Sequence, residues 1–179
     1  MSNSIKEVQR LGQSIWLDFI SRGLINSGQL KELIDKGICG MTSNPTIFHK
    51  AITQGTEYDV AIQDILNSAP DVETEALYDR LVVEDVQMAA DVFRPVYEET
   101  GGVDGLVSLE PPAQIAYDTD ATIAEARRLW QLVQRPNVMI KVPATEPGIP
   151  AVETLLAEGI NINITLMFSL KHYEAVSKA

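Results

Sequence analysis

Lys141 is the residue whose neighbours in the sequence most clearly indicate a chemical role. It lies in the apolar run VMIKVP at 138–143, between Ile140 and Val142. Burial disfavours the charged form of a lysine, and a neutral amine is a nucleophile that forms a Schiff base with a carbonyl compound. The alternative is structural, because a lysine paired with a carboxylate inside the fold would only stabilise it. The residue type alone leaves both interpretations open.

Four other polar residues lie, like Lys141, near the carboxyl ends of predicted strands: Asp18, Asn44, Glu110 and Thr165. Strands buried on both faces of a parallel sheet are normally apolar. Asp18 and Glu110 are of the type that supplies the proton transfers of Schiff-base chemistry, although either could simply neutralise Lys141. Asn44 and Thr165 would orient a water or a substrate hydroxyl, or would make ordinary polar contacts.

The strands that would position these residues alternate with helices. We predict strands at 14–20, 38–44, 105–111, 137–145 and 161–168, from β-branched and aromatic residues bounded by Gly and Pro. Helices are predicted at 27–37 with Ser27 as N-cap, at 46–51, 57–67, 72–99, 120–133 and 148–158, and from Leu170 onward. This alternation indicates a parallel α/β sheet. In an α/β barrel the carboxyl ends of all strands meet at one rim, where active sites lie.

The composition excludes several other classes of function. The 179 residues include 25 acidic and 14 basic ones, for a net charge of −11. So acidic a chain fits neither a nucleic-acid binder nor attachment to an anionic membrane surface. One cysteine and two histidines argue against a disulfide and against a zinc or multi-cysteine metal site, so no metal is expected.

The sequence also contains no Gly-rich phosphate loop and no apolar run long enough for a signal peptide or a membrane span. We therefore expect a cytoplasmic protein in which residues 1–179 form a single domain.

Six motifs make the sequence similar to transaldolases, in the bacterial subfamily whose members are sometimes fused to a phosphoglucose isomerase. In chain order, from residue 12 to residue 170, they are GQSIWLDFISRGLI, GMTSNPTIF, VSLEP, AYDTDATIAEARRLW, VMIKVPAT and GININITLMFSL. The resemblance implies a TIM-type (β/α)8 barrel. It also implies transfer of a dihydroxyacetone unit between sugar phosphates, in the pentose phosphate pathway, without a cofactor.

The resemblance assigns roles to individual residues. Lys141 would form the Schiff base, Asp18 would take the proton from the substrate hydroxyl as the C–C bond breaks, and Glu110 would act with Thr165 through a water. The implied catalytic residues are Lys141, Asp18, Glu110 and Thr165, and the implied substrate-binding residues are Asn44 and Thr42.

The sequence departs from the family in two respects. Pro111 stands where the family usually has Val, which could change the end of the strand and the direction of Glu110. A complete barrel of this type has about 250 residues, so we expect this chain to be an incomplete, N-terminal part. The partners would be sugar-phosphate substrates, and the chain would form a homo-oligomer or bind a complementing C-terminal half.

Two alternatives to a transaldolase remain open on the sequence. A class I aldolase would cleave its substrate without transferring the product, although Glu110 and the TSNPTIF motif favour a transaldolase. A truncated fragment would keep the motifs without catalysing a reaction.

Overall fold

Short strands separated by helices make up the structure, a computed structural model that describes residues 3–179. The strands are β1 (Trp16–Asp18), β2 (Gly40–Thr42), β3 (Leu106–Leu109), β4 (Val138–Pro143) and β5 (Ile162–Thr165). Each lies inside its predicted range and is shorter than predicted. The helices are α1 (Ser4–Gln9), α2 (Arg22–Asn26), α3 (Gln29–Asp35), α4 (Pro45–Gln54), α5 (Asp59–Ser68), α6 (Thr74–Glu99), α7 (Thr119–Val133), α8 (Gly148–Ala157) and α9 (Leu170–Val176).

The helix predicted from Ser27 is wrong at its amino end. Ser27 is the C-cap of α2, and its backbone N–H donates to the carbonyl of Gly23 at 3.0 Å. The N-cap of α3 is Gly28, whose φ of 81° lets the chain turn between the two helices. An L side chain rarely adopts this left-handed conformation. Helix α2 itself was not predicted, although the Ser21 hydroxyl caps it by accepting from the N–H of Leu24 at 3.1 Å.

The chain divides into two compact units, one ending at Val107 and the other running from Ser108 to Ala179. In the first unit β1 and β2 are parallel, with Asp18 opposite Thr42. In the second unit β4 and β5 are parallel, with Lys141 opposite Asn163. Together with the order of the elements, these pairings confirm the predicted α/β class. The assignment of the whole chain to one domain stays a prediction.

The core of the first unit includes an apolar stripe on α6. Its members are all buried: Val82, Val86, Ala89, Ala90 and Phe93. Strand β2 begins at Gly40, where a Cβ atom would lie 2.4 Å from the Trp16 ring of β1. Only glycine leaves room for this ring, so Gly40 fixes how closely the two strands that carry Asp18 and Thr42 pack at this point.

A buried polar cluster connects α2 to α6 in the same unit. The Asp85 carboxylate accepts from Arg22 Nε at 2.8 Å and from the Tyr58 hydroxyl at 2.6 Å. Burial raises the pKa of Asp85, although these two hydrogen bonds oppose the shift. Burial, and then the hydrogen bond to Asp85, raises the pKa of Tyr58. Burial alone would lower the pKa of Arg22, but the carboxylates of Asp85 and Glu84 more than offset it, so the pKa is raised.

In the second unit, α7 and α8 pack on β4. The alternate residues Val138, Ile140 and Val142 are fully buried. Helix α8 begins at Gly148, where a Cβ atom would lie 2.1 Å from the carbonyl oxygen of Pro143 at the end of β4. Among residues 3–179, no helix combines the length and the apolar character needed to cross a membrane.

Candidate active site

Lys141 and Glu110 form an ion pair in the second unit. Lys141 is the fourth residue of β4, and its Nζ lies 3.2 Å from Oε2 of Glu110. The two side chains are 11% and 22% exposed, so the pair is largely withdrawn from water. A carboxylate at this distance can neutralise an ammonium group, and it can also accept a proton from it. The geometry is therefore compatible with both interpretations of Lys141.

Pro111 does not prevent Glu110 from reaching the lysine. Strand β3 ends at Leu109, and Glu110 is the first residue beyond it. Proline has no N–H to donate to a neighbouring strand, which agrees with the end of the strand at this point. The Glu110 carboxylate still lies 3.2 Å from Lys141 Nζ.

A cavity of about 60 Å³ lies against this pair. Its walls are mainly apolar, and its lining consists of Glu110, Pro111, Pro112, Ala113, Ile115, Ala116, Thr122, Lys141, Pro143 and Leu166. Ligand pockets usually measure about 300–1,000 Å³, whereas a water takes up about 30 Å³ of liquid volume. The cavity thus has room for the water released or consumed in Schiff-base chemistry.

Strand β5 places two polar residues beside β4. Thr165, the predicted catalytic threonine, lies opposite Pro143, and its carbonyl accepts from the N–H of Ala144 at 2.8 Å. Within the described residues, the Thr165 hydroxyl makes no hydrogen bond, so its predicted cooperation with Glu110 stays a prediction.

The residue opposite Lys141 is Asn163, which was not predicted as a site residue. Its Nδ2 donates to the hydroxyl of Ser108 on β3 at 2.7 Å. Asn163 and Thr165 share one face of their strand, because side chains alternate with period two. The alternation of polar residues in NINIT at 161–165 was the signal that could have identified Asn163.

The other predicted site residues belong to the first unit. Asp18 is the last residue of β1 and is exposed. Thr42 ends β2, and its buried hydroxyl has no hydrogen-bond partner within the described part of the chain. The Asn44 side-chain oxygen accepts from the N–H of Ile47 at 3.0 Å and so caps α4. Asn44 therefore has a structural role, which leaves its amide NH2 group for a ligand. An approach of these residues to Lys141 stays a prediction.

Comparison with known proteins places these residues in a family. Residues 15–179 match the family model described as Transaldolase/Fructose-6-phosphate aldolase. Transaldolase from Thermobifida fusca is 51% identical over 181 residues, which cover 100% of this chain and 48% of that protein. Transaldolase 2 from a Nostoc species is 50% identical over 172 residues, or 96% of this chain and 45% of that protein.

Transaldolase from Thiobacillus denitrificans is 46% identical over 178 residues, which cover 99% of this chain and 49% of that protein. The chain thus spans about half the length of the curated relatives it matches. Because the family match begins at residue 15 and extends to residue 179, it includes most of the first unit and all of the second. The chain belongs to the transaldolase/fructose-6-phosphate aldolase family.

Proposed function

We propose that this chain carries the Schiff-base residues of a transaldolase that moves a dihydroxyacetone unit from a ketose phosphate to an aldose phosphate. The observation that carries the proposal is the Lys141 amine at 3.2 Å from the Glu110 carboxylate, beside a small apolar cavity. The relatives named transaldolase support the same reaction. The sugar phosphates of the pentose phosphate pathway are then its substrates, and the cytoplasm remains the predicted location.

Lys141 attacks the C2 carbonyl of the ketose and, with loss of water, forms a protonated imine. Asp18 takes the proton from the C4 hydroxyl, so that the C3–C4 bond breaks and the first aldose leaves. The bonding electrons pass to the imine, which becomes an enamine, and for this reason we propose no cofactor. Glu110, together with Thr165 and a water, moves protons as the imine forms and is hydrolysed.

Substrate binding is assigned to Asn44 and Thr42. Because the Asn44 oxygen already accepts from Ile47, we expect its NH2 group to donate to a hydroxyl of the dihydroxyacetone unit. The buried Thr42 hydroxyl has no partner within residues 3–179. An unpaired buried hydroxyl is unfavourable, so a substrate hydroxyl would stabilise it.

Borohydride trapping tests the proposal directly. We expect reduction in the presence of a ketose phosphate to attach a three-carbon unit to Lys141 in the intact protein, as identified by peptide mass mapping. Reduction without the ketose is the control. An adduct on Lys36, Lys50 or Lys171 in place of Lys141 would exclude the proposed Schiff base.

A class I aldolase is the second candidate, because the matching family includes fructose-6-phosphate aldolases. The two reactions differ in what happens to the three-carbon unit after cleavage. Dependence of turnover on an added aldose phosphate indicates a transaldolase, whereas release of free dihydroxyacetone at the same rate without it indicates an aldolase. A trapped adduct with neither product would indicate a fragment that binds without turning over.

The surface formed by residues 168–170, after β5, is proposed to contact the part of a transaldolase that corresponds to the second half of the relatives. Its apolar side chains are exposed, with Phe168 at 86% and Leu170 at 82%. We expect the 179-residue chain alone to associate with itself in size-exclusion chromatography, and Phe168→Ser with Leu170→Ser to reduce this. A monodisperse, active chain of this length would contradict the proposal.

A further inference from the structure

Leu166 has a backbone conformation that its side chain does not favour. Within residues 3–179, Leu166 and Gln134 are the non-glycine residues with positive φ, at 58° and 49°. Gln134 is the C-cap of α7, where its N–H donates to the carbonyl of Trp130, and left-handed residues are common at helix ends. Leu166 follows a strand, and leucine has no polar side chain that could stabilise this conformation locally.

The conformation places Leu166 at the candidate active site. The preceding residue, Thr165, is held in the sheet by the hydrogen bond from Ala144 at 2.8 Å, so the chain turns at Leu166 itself. Leu166 lines the same cavity as Lys141 and Glu110. Residues in unfavourable backbone conformations concentrate at active sites and persist where the surrounding structure fixes them.

Three apolar residues that line the cavity are exposed, Pro112, Ala113 and Leu166, and Leu166 has the largest side chain among them. It is 52% exposed while it lines the cavity, so part of an apolar side chain faces solvent beside a largely buried amine. A bound three-carbon unit attached to Lys141 would cover this apolar surface, and the side chain would then exclude water from the unit.

We propose that Leu166 is a specificity-determining residue that keeps water from the three-carbon unit on Lys141 and so favours its transfer over its hydrolysis. The inference rests on the proposed function. In transfer, the enamine carbon attacks the aldehyde of the acceptor, and the new alkoxide takes a proton. The resulting imine then adds water, which releases the product ketose and the Lys141 amine.

In hydrolysis the same enamine takes a proton at carbon instead. Water adds to the imine carbon, the C–N bond breaks, and dihydroxyacetone leaves with regeneration of the amine. Neither route needs an oxidant or a reductant. The two routes differ in whether an aldehyde or a proton reaches the enamine carbon first. A side chain that excludes water from this carbon disfavours its protonation.

The test measures the ratio of released dihydroxyacetone to transferred product in the intact protein. We expect Leu166→Ala to raise this ratio about tenfold, which requires a change of only about 1.4 kcal/mol between the two barriers. Leu166→Gly should raise it equally while relieving the backbone strain, and Leu166→Met should keep it near the parent value. Gln134→Gly is the matched control, since it relieves strain away from the cavity and should leave the ratio unchanged.

A second measurement does not depend on turnover. Acetylation of Lys141 by a water-soluble reagent, followed by mass spectrometry with the exposed Lys171 as reference, should be faster in Leu166→Ala. If the parent protein gives neither a trapped adduct nor turnover, the proposed function fails. A higher acetylation rate of Lys141 in Leu166→Ala would even then show that the Leu166 side chain covers the amine. Unchanged labelling, or an unchanged product ratio in an active protein, would overturn the inference.

Discussion

Exchanging Lys141 for arginine separates the two roles that the structure allows for this side chain. Arginine keeps a positive charge opposite Glu110, so the ion pair can remain. A guanidinium group cannot act as the nucleophilic amine, because it stays protonated. We therefore expect Lys141→Arg to abolish turnover and borohydride trapping while the free energy of unfolding changes little.

The expected energies follow from the geometry of the pair. At 3.2 Å, two unit charges attract by about 5 kcal/mol at an effective dielectric constant of about 20. Desolvation of both groups offsets much of this, since the side chains are only 11% and 22% exposed. Breaking a fully buried pair costs about 3–5 kcal/mol, and breaking an exposed pair costs about 1 kcal/mol or less. For Lys141→Ala we expect a loss in the free energy of unfolding between these values, at about 2 kcal/mol, and for Lys141→Arg a loss below about 1 kcal/mol.

Urea unfolding and a coupled assay for released aldose phosphate provide the two measurements. Lys171→Arg, on the exposed helix α9, is the matched control and should change neither the free energy of unfolding nor turnover. Turnover or trapping retained by Lys141→Arg would refute the Schiff-base role. A loss of stability in Lys141→Arg equal to that in Lys141→Ala would refute the inference that charge alone maintains the pair.

Three further predictions concern the first unit. Asp18→Ala should lower kcat by about 10²–10⁴-fold while borohydride still traps a ketose at Lys141; lost trapping with normal cleavage would contradict its role. Asp85→Ala leaves the buried Arg22 without its main partner, so urea unfolding should show a loss of about 3–5 kcal/mol; a loss below about 1 kcal/mol would show that the pair contributes little. The pKa of Tyr58 is raised in the folded protein, so above pH ~10 Tyr58 ionises in the unfolded chain before it does in the folded one. The free energy of unfolding should therefore fall by up to about 1.4 kcal/mol for each pH unit above pH ~10. Tyr58→Phe should flatten this dependence, and an unchanged slope would mean that Tyr58 ionises equally in both states.

The sequence carried enough information to place the five strands, because each is a short apolar run bounded by glycine or proline. The predicted strands were too long at their ends, where some residues still make single backbone hydrogen bonds to a neighbouring strand, such as that from the N–H of Ala144 to the carbonyl of Thr165. Helix α2 was not predicted because its five residues are too few to show a helical period. The family match and the five described strands confirm the predicted fold class, a TIM-type (β/α)8 barrel of which about five strands with their helices are present.

The candidate site was predictable where residue type alone is unusual. A lysine in an apolar strand and a carboxylate at the end of another strand are conspicuous, and the structure brings Lys141 and Glu110 together. Asn163 was harder to identify, because its position opposite Lys141 depends on the pairing of two strands. The left-handed conformation of Leu166 could not be predicted, since leucine does not ordinarily adopt it.

The ion pair and the nucleophile are compatible roles for Lys141, and the structure indicates how. An ammonium group must lose a proton before it can attack a carbonyl, and it must lose it to a base within hydrogen-bonding distance. Glu110, which balances the charge of Lys141 at 3.2 Å, is such a base. The adjacent cavity of about 60 Å³ has room for the water that leaves when the imine forms. In the proposed mechanism the contact that pairs the two charges also lets Glu110 accept the proton that the amine must lose, so a structural interpretation of the pair does not exclude the catalytic one.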